Sequence, residues 1–193
     1  MNNTKNKKLV GLALFTAIVV LLQLLAIVSR GFGLPFSLSF VLVPIVVGAA
    51  LYGVGAGAWL GFVFGVAVLL SGDAAAFLTV NINGTVLTVL VKGAVAGLGA
   101  GLVYRLLAKK NEMLAVFAAA AVCPILNTGI FLIGCLLFFM ETVSAWAVGA
   151  GFGPNVAGYM FLGLAGVNFI IELAVNLVLA PVILRLISIG KKN

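Results

Sequence analysis

Lys92 has the most chemistry to offer in this chain. It lies inside the apolar run GTVLTVLVKGAVAGLGAGLVYRLLAKK, Gly84 to Lys110, which ends in the basic cluster Arg105, Lys109 and Lys110. As helix, that run places Lys92 roughly 12 Å below the level of Gly84 and is long enough to cross a hydrocarbon core of about 30 Å. A lysine at such depth costs about 2.5–3.5 kcal/mol by insertion scales, so it faces the bundle interior and marks a candidate site. A second polar set is Asn168, Glu172 and Asn176, spaced i, i+4, i+8 on one helical face. That stripe reads in two ways: hydrogen bonding that glues helices together, or the wall of a ligand cavity. In the second reading Asn168 is the member nearest ligand, and Asn176 packs nearer the cytoplasm. Lys92 and Glu172 are the ionisable residues deep inside the spans. Either they pair with each other, or Lys92 neutralises a ligand carboxylate or phosphate; both hold if the pair opens on binding.

Asn127 lies mid-run beside Thr128, just after Pro124. Proline frees a backbone carbonyl, which a nearby amide or a ligand can satisfy. Asn81, Asn83, Trp146 and Asn155 fall in connections that the charge pattern puts on the outer side. Each is a ligand candidate and, equally, a turn or interface residue.

Much chemistry is excluded. The chain has no histidine, which removes His-based metal sites and Ser–His or Cys–His catalysis. No metal site and no cofactor are expected, and no nucleophile–base pair supports an enzyme. Cys123 and Cys135 fall far apart on one helix and cannot bridge within it. Gly53-Val-Gly55-Ala-Gly57 has no preceding strand, so it is no dinucleotide loop.

The elements that must position these residues are membrane helices. Of 193 residues 64% are hydrophobic and 8% charged, against about 25% charged in a soluble domain. The sequence reads as one domain, 1–193, an all-α membrane protein with six transmembrane helices at about 9–28, 38–52, 54–71, 84–108, 113–139 and 156–187. The first run follows Lys5, Lys7 and Lys8; it is too long for a signal-peptide core and is read as a retained span. Arg30-Gly-Phe-Gly-Leu-Pro35-Phe-Ser37 breaks it, and Pro44 is expected to kink the second span. Spans two and three form a tight hairpin at Tyr52-Gly53, each short for a full crossing. The segments Ser29–Ser37, Gly72–Asn83 and Glu141–Asn155 read as outer loops. Net charge is +7, and nearly all of it flanks the apolar runs. That is positive-inside bias rather than a nucleic-acid footprint: both termini are cytoplasmic, and the lipid bilayer is the partner. Gly57, Gly61 and Gly65, with Gly93, Gly97 and Gly101, recur every four residues and predict close helix packing.

Ala13-Leu-Phe-Thr-Ala17 marks a smooth patch near the cytoplasmic end of the first span. With it, PIVVGAALYGVGAGAWLGFVFG, SGD and NGTVLTVLVKG resemble the substrate-binding S components of energy-coupling factor (ECF) vitamin transporters. The likeness covers nearly the whole chain. It implies high-affinity capture of a water-soluble vitamin or precursor from outside, and no nucleotide site. It implies docking through Ala13 and Ala17 onto a membrane T component that carries two ATPase subunits, in a prokaryotic plasma membrane. Ligand residues differ between family members, so the ligand is not carried across; Lys92 suits an anionic vitamin, pantothenate being one candidate. The rival readings are a stand-alone proton- or sodium-coupled transporter, with Glu172 as coupling carboxylate, and a non-transporting scaffold.

Overall fold

The computed structural model describes residues 2–31 and 40–192, with side chains over 5–26 and 40–191. Every element among the described residues is helical. In order they are α1 (Asn2–Gly31), α2 (Leu42–Tyr52), α3 (Val54–Leu70), α4 (Ala75–Leu78), α5 (Ile82–Leu107), α6 (Glu112–Phe138) and α7 (Met140–Gly149). A short α8 (Val156–Gly158) runs into a π-helical segment (Tyr159–Leu164), followed by α9 (Gly166–Val178) and α10 (Ala180–Lys192).

Among the described residues three helices are long and apolar enough to cross a membrane: Lys5–Ala26 within α1, α5 and α6. A fourth candidate is bent, Val156–Leu164 meeting Gly166–Val178 at 45°. The remaining two expected spans, α2 and α3, have 11 and 17 residues, about 16 and 26 Å of helix against a core of about 30 Å. Neighbours shield α2: Leu42, Ile45, Val46 and Val47 are at most 1% exposed. Pro44 does not kink this helix. It occupies the first turn, where its missing N–H has no partner to lose. The break expected between Gly31 and the second span falls on residues 32–39, outside the described residues.

The seam between α3 and α5 is backbone against backbone. A Cβ on Gly61 would strike the carbonyl of Gly93, and one on Gly93 would strike that of Gly61. Gly57 and Gly97 oppose each other in the same way, and a Cβ on Gly65 would lie 2.8 Å from the Val89 oxygen. The small-residue spacing in the sequence therefore has its expected use, a close approach of two helices. It also fixes the register of Lys92, the residue before Gly93.

Two segments read as loops contain helix. α7 forms because Val143 and Ala147, four apart, both reach full burial on one face. α4 is one turn over the end of α3, which Gly72 terminates at φ 79°, a left-handed conformation that suits glycine. The last expected span is interrupted twice. Ala165 N–H donates to the Met160 carbonyl at 3.0 Å, a five-residue step that widens the turn and accompanies the bend. Pro181 then removes a donor, and the helix restarts at Ala180.

Candidate ligand-binding cavity

A cavity of about 200 Å³ lies where α1, α3, α5, α6 and α9 converge. Each wall contributes through its own local logic. The α3–α5 seam brings Phe64 and Val68 of α3 beside Thr85, Thr88, Val89 and Lys92 of α5. Thr85, Thr88, Val89 and Lys92 follow the 3–4 residue spacing of one helical face. From α6 come Asn127, Thr128 and Phe131, one to two turns after Pro124. The 45° bend at Ala165 accompanies a wall made of Leu164, Ala165, Asn168, Phe169 and Glu172. Gln23 of α1, Asp73 and Ala74 after α3, Phe77 of α4 and Phe139 complete the lining.

Lys92 is held by rings. Its Nζ lies 5.4 Å from the Phe131 ring centroid and 6.0 Å from that of Phe64. Ring quadrupoles attract a cation at this range, by about 0.5–2 kcal/mol. Glu172 and Asp73 attract Lys92 electrostatically as well, Glu172 the more strongly. A direct ion pair forms elsewhere, from Lys191 Nζ to Glu112 Oε1 at 2.5 Å. Lys92 thus rests on two rings and feels Glu172 through space.

Around that lysine are polar groups set in apolar surroundings. Asn127 is 5% exposed and Thr88 is 6% exposed; Asn127 Oδ1 and Thr88 Oγ1 have no hydrogen-bond partner among the described residues. Gln23, 2% exposed, donates from Nε2 to Ser71 Oγ at 3.1 Å and to Asp73 Oδ2. This clasp ties α1 to the turn after α3, directly on the cavity wall. The aromatic roof is continuous: Phe77 meets Phe131, Phe139 and Trp146 edge-on at 5.0–5.5 Å between centroids.

The structure therefore brings together Lys92, Asn127, Asn168 and Glu172, from three different helices, on one cavity. Trp146 is one shell back, against Phe77. Asn81 and Asn155 do not line it; each caps a helix, accepting from Gly84 N–H and Gly158 N–H at 2.9 Å. Asn83 is exposed on the first turn of α5. Asn176 is fully buried outside the lining, its Nδ2 donating to the Glu172 carbonyl at 2.8 Å. Ala13 and Ala17 are exposed on α1, among Val10, Leu14 and Leu21. Sequence reasoning missed Gln23, Asp73, Thr88 and the phenylalanines. Gln23 had a signal, as a lone amide in a long apolar run. The phenylalanines had none, since an apolar ring looks the same whether it faces lipid, core or cavity.

A family model described as the ECF transporter substrate-specific component matches residues 7–184. No curated protein and no solved structure matches the chain.

Proposed function

The chain belongs to the family of ECF transporter substrate-specific components, and on that premise we propose that its cavity captures a water-soluble vitamin or vitamin precursor. The family is one of transporter components, not of enzymes, and the apolar helices make this a multi-pass membrane protein. In the proposal the chain crosses a prokaryotic plasma membrane six times with both termini in the cytoplasm. The cavity opens outward, and α1 docks through Ala13 and Ala17 on a T component that carries two ATPases. Positive charge at the α5–α6 turn and at both ends of the chain supports that orientation.

One observation carries the reading: Lys92, Asn127, Asn168 and Glu172, far apart in sequence, share a single aromatic-walled cavity. Concave, largely apolar walls with a few convergent polar groups are what small-molecule capture needs. Lys92 gives the site a handle for an acidic group, and pantothenate remains a candidate.

The test is thermal unfolding of the purified full chain with pantothenate, and with pantothenol, which lacks the acid. Pantothenate is expected to raise the midpoint and pantothenol is not. Lys92→Met should weaken binding at least about thirtyfold, because it removes the cation that meets the acid. Unchanged affinity in that variant would reject the role of Lys92. Uptake that survives deletion of the ATPases but stops with an uncoupler would replace the proposal with secondary transport through Glu172.

A further inference from the structure

The chain has four acids against eleven lysines and arginines. Asp73 and Glu172 line the cavity, Glu112 holds Lys191 and the Tyr104 hydroxyl, and Glu141 stands in the first turn of α7, past the C-terminal end of α6. None of the four serves Arg105, in the last turn of α5, or Lys109 just after it; both are exposed and form no ion pair among the described residues. With Leu102 and Leu106, 41% and 72% exposed, they line a groove of about 320 Å³. Ala108 keeps helical angles, φ −60° and ψ −25°, and Asn111 N–H donates to the Leu107 carbonyl, so Lys109 stays in register one turn after Arg105. The outward face of α5 runs into this pair. Val91, Leu98 and Leu102 are exposed along it in steps of seven and four, and Arg105 and Lys109 follow Leu98 and Leu102 by seven residues each. Such steps keep to one face of a helix. In a membrane that face meets acyl chains, and the two cations stand where a headgroup ends the chain. Helix-end carbonyls favour a cation in the last turn but bring no formal charge to offset two of them.

We infer that Arg105 and Lys109 form a binding site for the phosphate of an anionic phospholipid. The Arg105 guanidinium presents a planar fork that suits two phosphate oxygens, and the Lys109 ammonium adds a point charge one turn on. The acyl chains lie along Leu102, Leu98 and Val91. An anionic headgroup is favoured over phosphatidylcholine, whose choline brings a cation of its own toward the pair. The occupant is lipid rather than an acidic protein surface, because the leucines beside the cations are exposed and a phospholipid supplies hydrocarbon and phosphate in one molecule. The site lies thirteen residues, about 20 Å of helix, beyond Lys92 and does not depend on what the cavity holds.

The experiment is native mass spectrometry of the full chain, delipidated in mild detergent and titrated with phosphatidylglycerol or phosphatidylcholine, with inorganic phosphate as competitor. Wild type is expected to hold phosphatidylglycerol more tightly than phosphatidylcholine. Inorganic phosphate at matched concentration should not displace it, because it has no chains to lie on the leucines. The double variant Arg105→Gln with Lys109→Gln removes two interfacial charges and should bind phosphatidylglycerol about thirtyfold more weakly. Lys5→Gln with Lys8→Gln removes the same charge from α1, which packs on α2 and α3, and should change binding by less than about threefold. Equal losses in the two double variants would mean a general attraction of basic protein for acidic lipid and would overturn the site. Equal retention of the two lipids by wild type also overturns it and leaves the pair to an acidic protein surface. Displacement by inorganic phosphate makes it a site for soluble anions, again against the inference. Both side chains are exposed, so the Arg105/Lys109 double variant should elute as wild type does in gel filtration. If it does not, photoactivatable phosphatidylglycerol on wild type decides: label within 98–109 is expected, and label confined to other segments overturns the site.

Discussion

Lys191 and Lys92 each face a glutamate, and they are treated in opposite ways. Lys191, near the end of α10, touches Glu112 at 2.5 Å and lies 5.6 Å from the Tyr104 ring centroid, while the Tyr104 hydroxyl donates to the same carboxylate at 3.0 Å. Lys92 shares a cavity with Glu172 but stands on two phenylalanine rings. The first pair is partly exposed, between the end of α10 and the start of α6, where long side chains can reach each other. The second is carried by helices whose spacing is fixed, α5 by its glycine seam with α3 and α9 by the bend at Ala165. A charge pair closes when its stems can move; it stays apart when rigid elements and rings hold it apart. Surface pairs of the first kind contribute about 0–1 kcal/mol. A buried lysine kept from its glutamate is a standing cost, and such costs collect at binding sites.

The largest way to break the contrast is to spoil the seam. Gly93→Leu forces a side chain into the Gly61 carbonyl, and neither backbone can yield. It is expected to cost more than about 3 kcal/mol and leave little folded protein in detergent gel filtration. Lys92→Met, the next in size, separates binding from stability. Binding should fall at least about thirtyfold, while the ligand-free protein stays within about 1 kcal/mol of wild type, since no closed pair is broken. A stability loss of about 3 kcal/mol or more in that variant would mean that Lys92 and Glu172 act as a pair after all. Phe131→Leu tests the rings themselves. Without that face Lys92 gains freedom to swing toward Glu172, and affinity for pantothenate should drop by about tenfold, roughly 1.4 kcal/mol.

Lys191→Gln should have the smallest effect, under about 1 kcal/mol in thermal unfolding after solvent screening of this exposed pair, with binding unchanged. The hydrogen bond to Glu112 holds the Lys191 ammonium above its ordinary value of 10.5, with Tyr104 adding to it. The folded state therefore binds this proton more tightly than the unfolded chain. The contribution is complete below about 10.5 and is lost as pH climbs through the raised folded value. Melting curves at increasing alkaline pH should converge for wild type and Lys191→Gln; curves that stay apart would place the effect of Lys191 in packing.

Particular residues show what was legible. Lys92, Asn168 and Glu172 announced themselves, because a polar group in an apolar run has few places to go. The glycine repeat announced the α3–α5 contact for a similar reason, since four-residue spacing of small residues leaves a groove for another backbone. Asn81 and Asn155 were ambiguous, because an amide at a helix start serves a cap as well as a ligand, and here both act as caps. Phe64 and Phe131 were silent, as was the clasp from Gln23 to Asp73. The helix in Met140–Gly149 was hidden by its polar residues, although Val143 and Ala147 already had helical spacing.

The sequence by itself determined the solvent of this protein, its helical class and the stretches rich in charge, because apolar length and lysine position act locally and additively. It also marked the residues too polar for lipid. Only the tertiary structure decided that Lys92 leans on two rings, that the last span bends to carry part of the cavity wall, and that α2 is a short helix shielded by its neighbours. Those outcomes depend on distances between helices far apart along the chain, and such distances are set by how whole faces pack.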